Sequence, residues 1–88
     1  MESPFTIYSK SECKFCELSK QLLDDEEYGY EIVMCDNWLQ EDRDEFLKRM
    51  EEKIGKPYTT FPMVFYKDKF VGGYQELVKK VEQLSCFK

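Results

Sequence analysis

The chain has 88 residues, a length that suits one domain spanning residues 1–88, and its 42% hydrophobic and 16% aromatic content excludes a disordered chain. A formal net charge of −5 argues against nucleic-acid binding through phosphate neutralisation, and the absence of histidine excludes a hydrolase built on a Ser–His or Cys–His pair. No apolar run approaches the length of a membrane span, so no membrane partner is expected.

The first half of the chain predicts a strand, a helix and a second strand. Residues 5–9 alternate in polarity and are rich in β-branched and aromatic side chains, which is typical of a strand. A helix is expected over about residues 14–27, ending near Gly29, because glycine suits the position just past a helix. Residues 30–35 predict the second strand. A helix between two strands favours a parallel pair with a right-handed crossover.

A second helix is predicted from about residue 38 to residue 54, with Asp36 or Asn37 as its N-cap and Gly55 at its end. Its apolar side chains share one face: Leu39, Phe46, Met50 and Ile54. The acidic side chains of this helix lie elsewhere on its surface. We interpret them as a solvated face, with a docking surface as the alternative.

The last part of the chain predicts a hairpin and a third helix. Residues 61–66 form a strand opened by Pro62, where a proline removes no needed hydrogen bond, and a polar turn leads to a short strand at 70–71. The final helix carries an apolar stripe interpreted as core: Tyr74, Leu77, Val78, Val81 and Leu84. The order βαβαββα predicts an α/β fold, a four-stranded mixed sheet flanked by helices.

The residues that carry chemistry are Cys13 and Cys16, which lie two residues apart at the predicted junction of the first strand and first helix. Phe15, Leu18 and Leu22 share one face of that helix. Cys13 stands at or just before the helix N-terminus, where unpaired N–H groups and the positive end of the helix dipole stabilise an anion. A thiolate there has a lowered pKa and attacks disulfides, so we interpret Cys13 as a nucleophile.

Two alternatives to redox chemistry exist for this pair. Structural zinc needs four ligands, whereas the chain has no histidine and its other cysteines, Cys35 and Cys86, stand alone. A purely structural disulfide is the second alternative. Residues 1–4 lack the basic and apolar segments of a signal peptide, so we expect a reducing, cytoplasmic setting in which such pairs are usually catalytic. Cys35 is expected to be a buried small hydrophobe, and Cys86 an accessory oxidation target.

Four motifs occur in an order and spacing that span nearly the whole chain. They are residues 7–10, the Cys13-Lys14-Phe15-Cys16 pair, Thr60-Phe61-Pro62, and Gly72-Gly73 followed by Glu76-Leu77. A lone C-x-x-C motif is weak evidence, but the combination with a downstream T-x-P and a double glycine is specific. On these residues the chain resembles a glutaredoxin, a family within the thioredoxin-like fold.

The resemblance implies a role for each residue near the cysteine pair. Cys13 would be the nucleophile and Cys16 the resolving thiol, and Phe15 would shape the substrate groove. Pro62 would be a cis proline, and the backbone of Phe61 before it would pair with a cysteinyl substrate. A cis bond before proline is uncommon and is generally retained because the structure needs it.

The resemblance also implies a glutathione site. Lys10 would contact a carboxylate of glutathione, and a helix N-terminus would receive the γ-glutamyl end at Gly73, Tyr74, Gln75 and Glu76. Lys14 stands where the family usually has proline, and it adds a positive charge that favours a thiolate. Tyr58 and Thr59 replace the usual basic or amide residue before T-x-P, and Lys56 is the candidate to reach the same carboxylate.

The function implied by the resemblance is a monomeric, glutathione-dependent thiol–disulfide oxidoreductase. It would reduce protein disulfides and glutathione mixed disulfides, with glutathione as co-substrate and no metal. One alternative, motivated by Tyr58 and Thr59, is a redoxin reduced by thioredoxin reductase. The other is a dimeric carrier of a [2Fe–2S] cluster ligated by Cys13 and glutathione, which would need two protomers to supply four ligands.

Overall fold

The computed structural model describes residues 3–85, and these form seven elements in the predicted order βαβαββα. In chain order they are β1 (Phe5–Ser9), α1 (Lys14–Asp25), β2 (Tyr30–Met34), α2 (Asp36–Ile54), β3 (Met63–Tyr66), β4 (Lys69–Gly72) and α3 (Tyr74–Ser85). The predicted α/β fold with a four-stranded mixed sheet is confirmed. No helix within residues 3–85 is both long and apolar enough to cross a membrane.

The sheet has the strand order β2-β1-β3-β4, so β1 lies between two neighbours. It pairs in parallel with β2, as the strand–helix–strand order predicts, and antiparallel with β3. The antiparallel register places Tyr8 opposite Met63. Continued past the strand ends, this register brings the residues after β1 beside the segment that leads into β3.

The core has one cluster on each face of the sheet, because successive side chains of a strand point to opposite faces. One cluster joins the sheet to α1 and α3 and contains Phe5, Ile7, Leu23, Val64, Leu77 and Val81. The other joins the sheet to α2 and contains Cys35, Phe46, Met50, Met63 and Phe65. Leu39 and Ile54 pack against the second cluster, which confirms the predicted apolar face of α2.

Helix α1 ends at Asp25, and the predicted end near Gly29 is wrong. The left-handed residue is Glu27, with a φ of 63°. Its N–H donates to the carbonyl of Asp24 at 3.1 Å, and the N–H of Tyr28 donates to the carbonyl of Leu23 at 2.9 Å. These two bonds form a Schellman motif, in which the last carbonyls of a helix find partners.

The buried face of α1 is formed by Cys16, Ser19 and Leu23. The predicted apolar stripe is offset from this face, because Phe15 is 52% exposed. The hydroxyl of Ser19 donates to the carbonyl of Phe15 at 2.7 Å, so this small polar side chain is buried with its hydrogen bond satisfied.

Helix α2 begins two residues earlier than predicted, and the predicted N-cap is wrong. Cys35 occupies the N-cap position and makes no side-chain capping bond, while the carboxylate of Asp36 binds Ser11 instead. The helix is interrupted at Asp42, whose φ of −157° and ψ of 87° are not helical. The Asp42 carboxylate accepts the N–H of Glu45 at 3.1 Å and so caps the second part of the helix.

Three smaller features complete the fold. Gly55 ends α2 in the left-handed conformation, with a φ of 94°, as predicted. Strand β3 begins at Met63 rather than at residue 61, and β4 extends one residue beyond the predicted 70–71 at each end. The prediction for Cys86 lies outside the described residues.

Candidate active site around the cysteine pair

The cysteine pair lies at the connection between β1 and α1. Cys13 is the N-cap of α1, which confirms its predicted position, and its Sγ accepts the N–H of Cys16 at 3.2 Å. The two cysteines form a disulfide with a Cα–Cα distance of 5.2 Å. Cys13 is partly exposed, whereas Cys16 is fully buried. An external sulfur therefore meets Cys13 first.

The loop between β1 and Cys13 is held by the two residues that follow β2, Cys35 and Asp36. The N–H of Cys35 donates to the carbonyl of Ser9 at 2.8 Å. The carboxylate of Asp36 accepts the N–H of Ser11 at 2.9 Å and the Ser11 hydroxyl at 3.1 Å. Glu12, just before Cys13, adopts a left-handed φ of 57°.

The segment before β3 carries the cis proline that the resemblance implies. The peptide bond between Phe61 and Pro62 is cis, and Pro62 is fully buried. The Lys10 Nζ lies 5.7 Å from the centroid of the Phe61 ring, a distance at which a cation and a ring face attract each other. Lys10 and Phe61 are therefore neighbours, as the continued register of β1 and β3 indicates.

The double glycine packs directly against this segment. A Cβ placed on Gly73 would lie 3.7 Å from the carbonyl oxygen of Pro62 and 3.0 Å from the Tyr58 hydroxyl. Gly72 has a φ of 135°, a backbone conformation that side chains rarely tolerate. The glycines thus let the start of α3 approach the cis-proline segment closely, with Tyr58 beside both.

The start of α3 supplies the last predicted site residues. The Oε1 atom of Glu76 accepts the N–H of Gly73 at 2.8 Å, which is the second half of a capping box. Glu76 therefore has a capping contact in addition to its predicted role at the ligand. The ring of Tyr74 lies 5.9 Å from that of Phe15, which joins α3 to the cysteine motif. Gln75 is exposed to solvent.

Cys35 is a buried free thiol, as predicted for a small hydrophobe. Its Sγ donates to the carbonyl of Val33 at 3.5 Å. Burial raises the pKa of the Cys35 thiol to about 11, and the nearby Asp36 carboxylate adds to this effect, while the hydrogen bond with the Ser9 backbone opposes it. A thiol held in this protonated form is a poor nucleophile.

For metal chemistry, the relevant feature is the set of possible donors. Within residues 3–85 no group of three or more histidine, cysteine, aspartate or glutamate side chains is arranged to hold a metal ion. The part of the chain that the structure describes thus offers no donor set for the zinc alternative, which requires four ligands.

Sequence reasoning missed a stack of three rings beside the site, formed by Trp38, Phe46 and Phe61 and here called the aromatic stack. The ring centroids of Trp38 and Phe46 lie 5.5 Å apart with a 12° angle between planes, and those of Phe46 and Phe61 lie 6.3 Å apart at 8°. Phe46 was predicted only as core. Trp38 lies in the same helix as Phe46, but α2 is interrupted between them at Asp42, and Phe61 comes from the segment before β3. Regular helical spacing therefore does not indicate the stack.

Comparison with known proteins gives a consistent result. The protein-family model described as Glutaredoxin matches residues 5–71. Glutaredoxin 1 of Rickettsia conorii (strain ATCC VR-613 / Malish 7) is 31% identical over 71 residues, which are 81% of this chain and 65% of that protein. The chain thus spans slightly less than two thirds of the length of that relative.

Two solved structures illustrate the similarity of the fold. Glutaredoxin 1 from Francisella tularensis, complexed with cacodylate, has a TM-score of 0.80 at 25% identity, covering 93% of this chain and 95% of that one. The buckwheat glutaredoxin–glutathione complex has a TM-score of 0.74 at 26% identity, covering 92% of this chain and 70% of that one.

Proposed function

Because the chain belongs to the glutaredoxin family, we propose that it is a glutathione-dependent thiol–disulfide oxidoreductase that works through Cys13 and Cys16. The observation that carries this proposal is the position of Cys13 at the N-cap of α1, partly exposed and bonded to the N–H of Cys16. The substrates are protein disulfides and mixed disulfides between a protein and glutathione. The proposed setting is the cytoplasm, with the protein acting as a monomer.

The first step is attack by the reduced Cys13. The helix N-terminus and the Cys16 N–H, 3.2 Å from the sulfur, stabilise the Cys13 thiolate. The thiolate attacks one sulfur of the substrate disulfide, so that a new S–S bond forms to Cys13 and the other sulfur leaves as a thiolate. With a glutathionylated protein, the leaving group is the protein thiolate and the intermediate is Cys13 joined to glutathione.

The second step releases the intermediate by one of two routes. The Cys16 thiolate attacks the Cys13 sulfur and expels the bound thiol, or a glutathione thiolate attacks the bound glutathione and frees Cys13. A Cα–Cα distance of 5.2 Å lies within the range that a disulfide requires. When Cys16 has resolved the intermediate, two glutathione molecules reduce the Cys13–Cys16 disulfide and leave as glutathione disulfide. In the direct route, glutathione disulfide leaves at once, and in both routes it accounts for the two electrons given to the substrate.

Glutathione is proposed to bind along the line from Lys10 to the start of α3. Lys10 would attract a carboxylate, and the backbone of Phe61 would pair with the cysteinyl part. The first N–H groups of α3 lack partners within the helix and suit the γ-glutamyl carboxylate. The buckwheat relative was solved as a complex with glutathione, which supports this assignment.

The experiment is a coupled assay with glutathione, glutathione reductase and NADPH on two substrates, a protein disulfide and a glutathionylated protein. Cys13→Ser should abolish activity on both substrates. Cys16→Ser should keep activity on the glutathionylated protein and lose it on the protein disulfide. Cys35→Ala is the matched control and should keep both activities. Full activity in Cys13→Ser would refute the proposed mechanism.

A second arm of the assay tests the electron donor. Tyr58 packs beside Gly73, and its ring contacts Phe70 edge-to-face at 4.9 Å. It is uncharged, so it supplies no cation where the family usually has a basic or amide residue. This favours thioredoxin reductase as the alternative donor. Turnover with thioredoxin reductase and none with glutathione would replace the proposed donor while leaving the roles of the cysteines intact.

A further inference from the structure

Trp38 is a large apolar side chain that remains 48% exposed, in the first turn of α2. Its ring belongs to the aromatic stack, whose last member, Phe61, directly precedes the cis proline of the redox site. The aromatic stack therefore forms a continuous apolar path from the redox site to the surface of α2. The proposed chemistry of the cysteine pair involves only Phe61, at the near end of this path.

Beside the aromatic stack lies an open cavity of about 310 Å³, here called the Trp38 cavity. The aromatic and apolar part of its lining consists of Tyr8, Trp38, Phe46 and Met50. Asp42, at the interruption of α2, lies at its border, and a cavity of this size accommodates one large side chain.

The charges along the path change sign from one end to the other. At the redox end, the Lys10 Nζ lies over the ring of Phe61. At the far end, the Trp38 cavity is bordered by Glu41 and Asp42, and by Glu45, whose charge is balanced by Arg49 at 2.9 Å. Lys53 also donates to the hydroxyl of Tyr8 at 3.0 Å, but one cation against Glu41 and Asp42 leaves this end net negative. A bound chain therefore meets a positive charge near its reacting sulfur and a net negative charge further along.

The spacing of the rings sets the distance between these two ends. Each step of the aromatic stack is 5.5 to 6.3 Å, and an extended chain advances about 3.3 Å per residue. The two steps from Phe61 to Trp38 thus correspond to about three to four residues of an extended peptide.

We propose that the Trp38 cavity is a specificity site for the protein substrate. The cavity binds an aliphatic or aromatic side chain of the substrate. In the substrate, this residue is next to a lysine or arginine and lies about three to four residues from the reacting cysteine. The apolar side chain covers Trp38, and the cation lies beside Glu41 and Asp42. This inference rests on the proposed function, since it assumes that the reacting cysteine is held opposite Phe61.

The test uses two peptides, each carrying one cysteine joined to 2-mercaptoethanol in a mixed disulfide, so that Cys13 attacks the peptide sulfur opposite Phe61 and 2-mercaptoethanol leaves as the thiolate. One has Leu-Lys four residues from the cysteine and the other has Ser-Asp there. The wild-type chain should reduce the Leu-Lys peptide with a kcat/KM about tenfold higher. In Trp38→Ala this ratio should fall to about one, because the apolar contact is lost. Met34→Ala removes another exposed apolar side chain, at the end of β2, and should keep the ratio of the wild type.

The charge is tested separately with Glu41→Lys. This variant should lower kcat/KM for the Leu-Lys peptide about threefold at low salt, and the difference should shrink as salt is added. A preference that is insensitive to both Glu41→Lys and salt would overturn the assignment of the basic residue.

Binding can also be followed without any variant of the cavity. Trp38 is the only tryptophan of the chain, so tryptophan fluorescence reports on this cavity directly. A Leu-Lys peptide with serine in place of cysteine should change the emission saturably, and the Ser-Asp version should not. If Trp38→Ala fails to fold, this titration decides the question, and equal responses to the two peptides would overturn the inference.

Three further outcomes separate this inference from its alternatives. If the wild-type chain reduces the mixed disulfide of glutathione and 2-mercaptoethanol but shows no preference between the peptides, the inference fails while the proposed function stands. If it reduces neither that compound nor the peptides, the proposed function fails. Sedimentation that shows a dimer in the wild type and a monomer in Trp38→Ala would mean that a second copy fills the cavity, which would also overturn the inference.

Discussion

Asp36 binds Ser11 across 25 positions of the sequence, with one carboxylate oxygen on the Ser11 N–H at 2.9 Å and the other on its hydroxyl at 3.1 Å. Ser11 lies in the short loop between β1 and Cys13, and Asp36 is the first residue of α2. The contact therefore attaches the loop before Cys13 to the junction between β2 and α2.

Replacing Asp36 should weaken this fastening. Asp36→Ala removes both hydrogen bonds, and we expect a loss of about 1–2 kcal/mol in the free energy of unfolding, since the acceptor is charged but Ser11 is exposed and Asp36 only partly buried. Urea denaturation measures the change, and hydrogen exchange of the Ser11 amide should accelerate. Asp44→Ala, which removes an exposed carboxylate from the same helix, should change stability by less than about 0.5 kcal/mol. Equal stabilities for the two variants would contradict this role.

Lys10 should contribute to the use of glutathione through its charge. Lys10→Met should lower kcat/KM for a glutathionylated peptide about tenfold, because a charge-assisted hydrogen bond to a carboxylate is lost. Lys10→Arg keeps the charge and should stay within about threefold of the wild type. The coupled glutathione assay measures both, and the effect of Lys10→Met should decrease with added salt. An unchanged kcat/KM in Lys10→Met would remove this residue from the site.

Cys35 should make the folded state sensitive to alkaline pH. Burial raises the pKa of its thiol from 9.0 to about 11, so between these values the unfolded chain loses a proton that the folded chain keeps. The contribution of Cys35 to stability is therefore complete below about pH 9 and is lost as pH rises towards 11. The loss amounts to at most roughly 2 to 3 kcal/mol.

The comparison variant for this effect is Cys35→Ala. All other ionisable groups are common to both proteins, so only the difference between the two urea-denaturation series is used. The stability advantage of the wild type over Cys35→Ala should shrink between about pH 9 and pH 11. A constant difference across that range would show that the thiol does not carry the effect.

Glu27 occupies a position that favours glycine. Its φ of 63° places it in the left-handed region, which costs a residue with a side chain about 1 kcal/mol. Glu27→Gly should therefore raise the free energy of unfolding, and Glu27→Gln controls for the loss of the negative charge near the helix C-terminus. The glycine variant should exceed the glutamine variant by about 0.5–1 kcal/mol in urea denaturation. A glutamine variant as stable as the glycine variant would assign the gain to charge alone.

Local sequence patterns predicted the parts of the fold that depend on local chemistry. The element order, the N-cap position of Cys13, the end of α2 at Gly55 and the cis bond before Pro62 are all confirmed. Each depends on a motif of a few residues or on the family resemblance. One signal of this kind was overlooked: the Asp-x-x-Glu spacing of Asp42 and Glu45, which marks the restart of α2.

The features that were mispredicted depend on contacts between distant residues. Asp36 is a good N-cap by type, but the parallel pairing of β1 and β2 brings Ser11 within its reach, and the carboxylate binds there instead. Gly29 suits the end of a helix, yet the ring of Tyr28 packs edge-on against Phe5 at 5.7 Å. Such packing fixes the Schellman motif two residues earlier than glycine placement indicates.

Six of the predicted site residues lie in contacting pairs, but the residues around them were not foreseen. Lys10 lies against Phe61, Gly73 lies against Pro62, and Phe15 of α1 contacts Tyr74 of α3. The aromatic stack and the position of Tyr58 beside Gly73 add contacts that a linear reading does not give, because they arise from tertiary packing. The roles of these residues in binding and catalysis stay predictions until the experiments above are done.

The interior position of β1 has one more consequence. Strand β1, which leads to Cys13, is hydrogen-bonded to a neighbouring strand on both sides. It therefore has no open edge from which it could fray. The short loop from Lys10 to Glu12 is then the segment that adjusts when the Cys13–Cys16 disulfide breaks and forms. Each redox turnover should accordingly be a local event, and amide exchange in β1 should be equally slow in the oxidised and reduced protein.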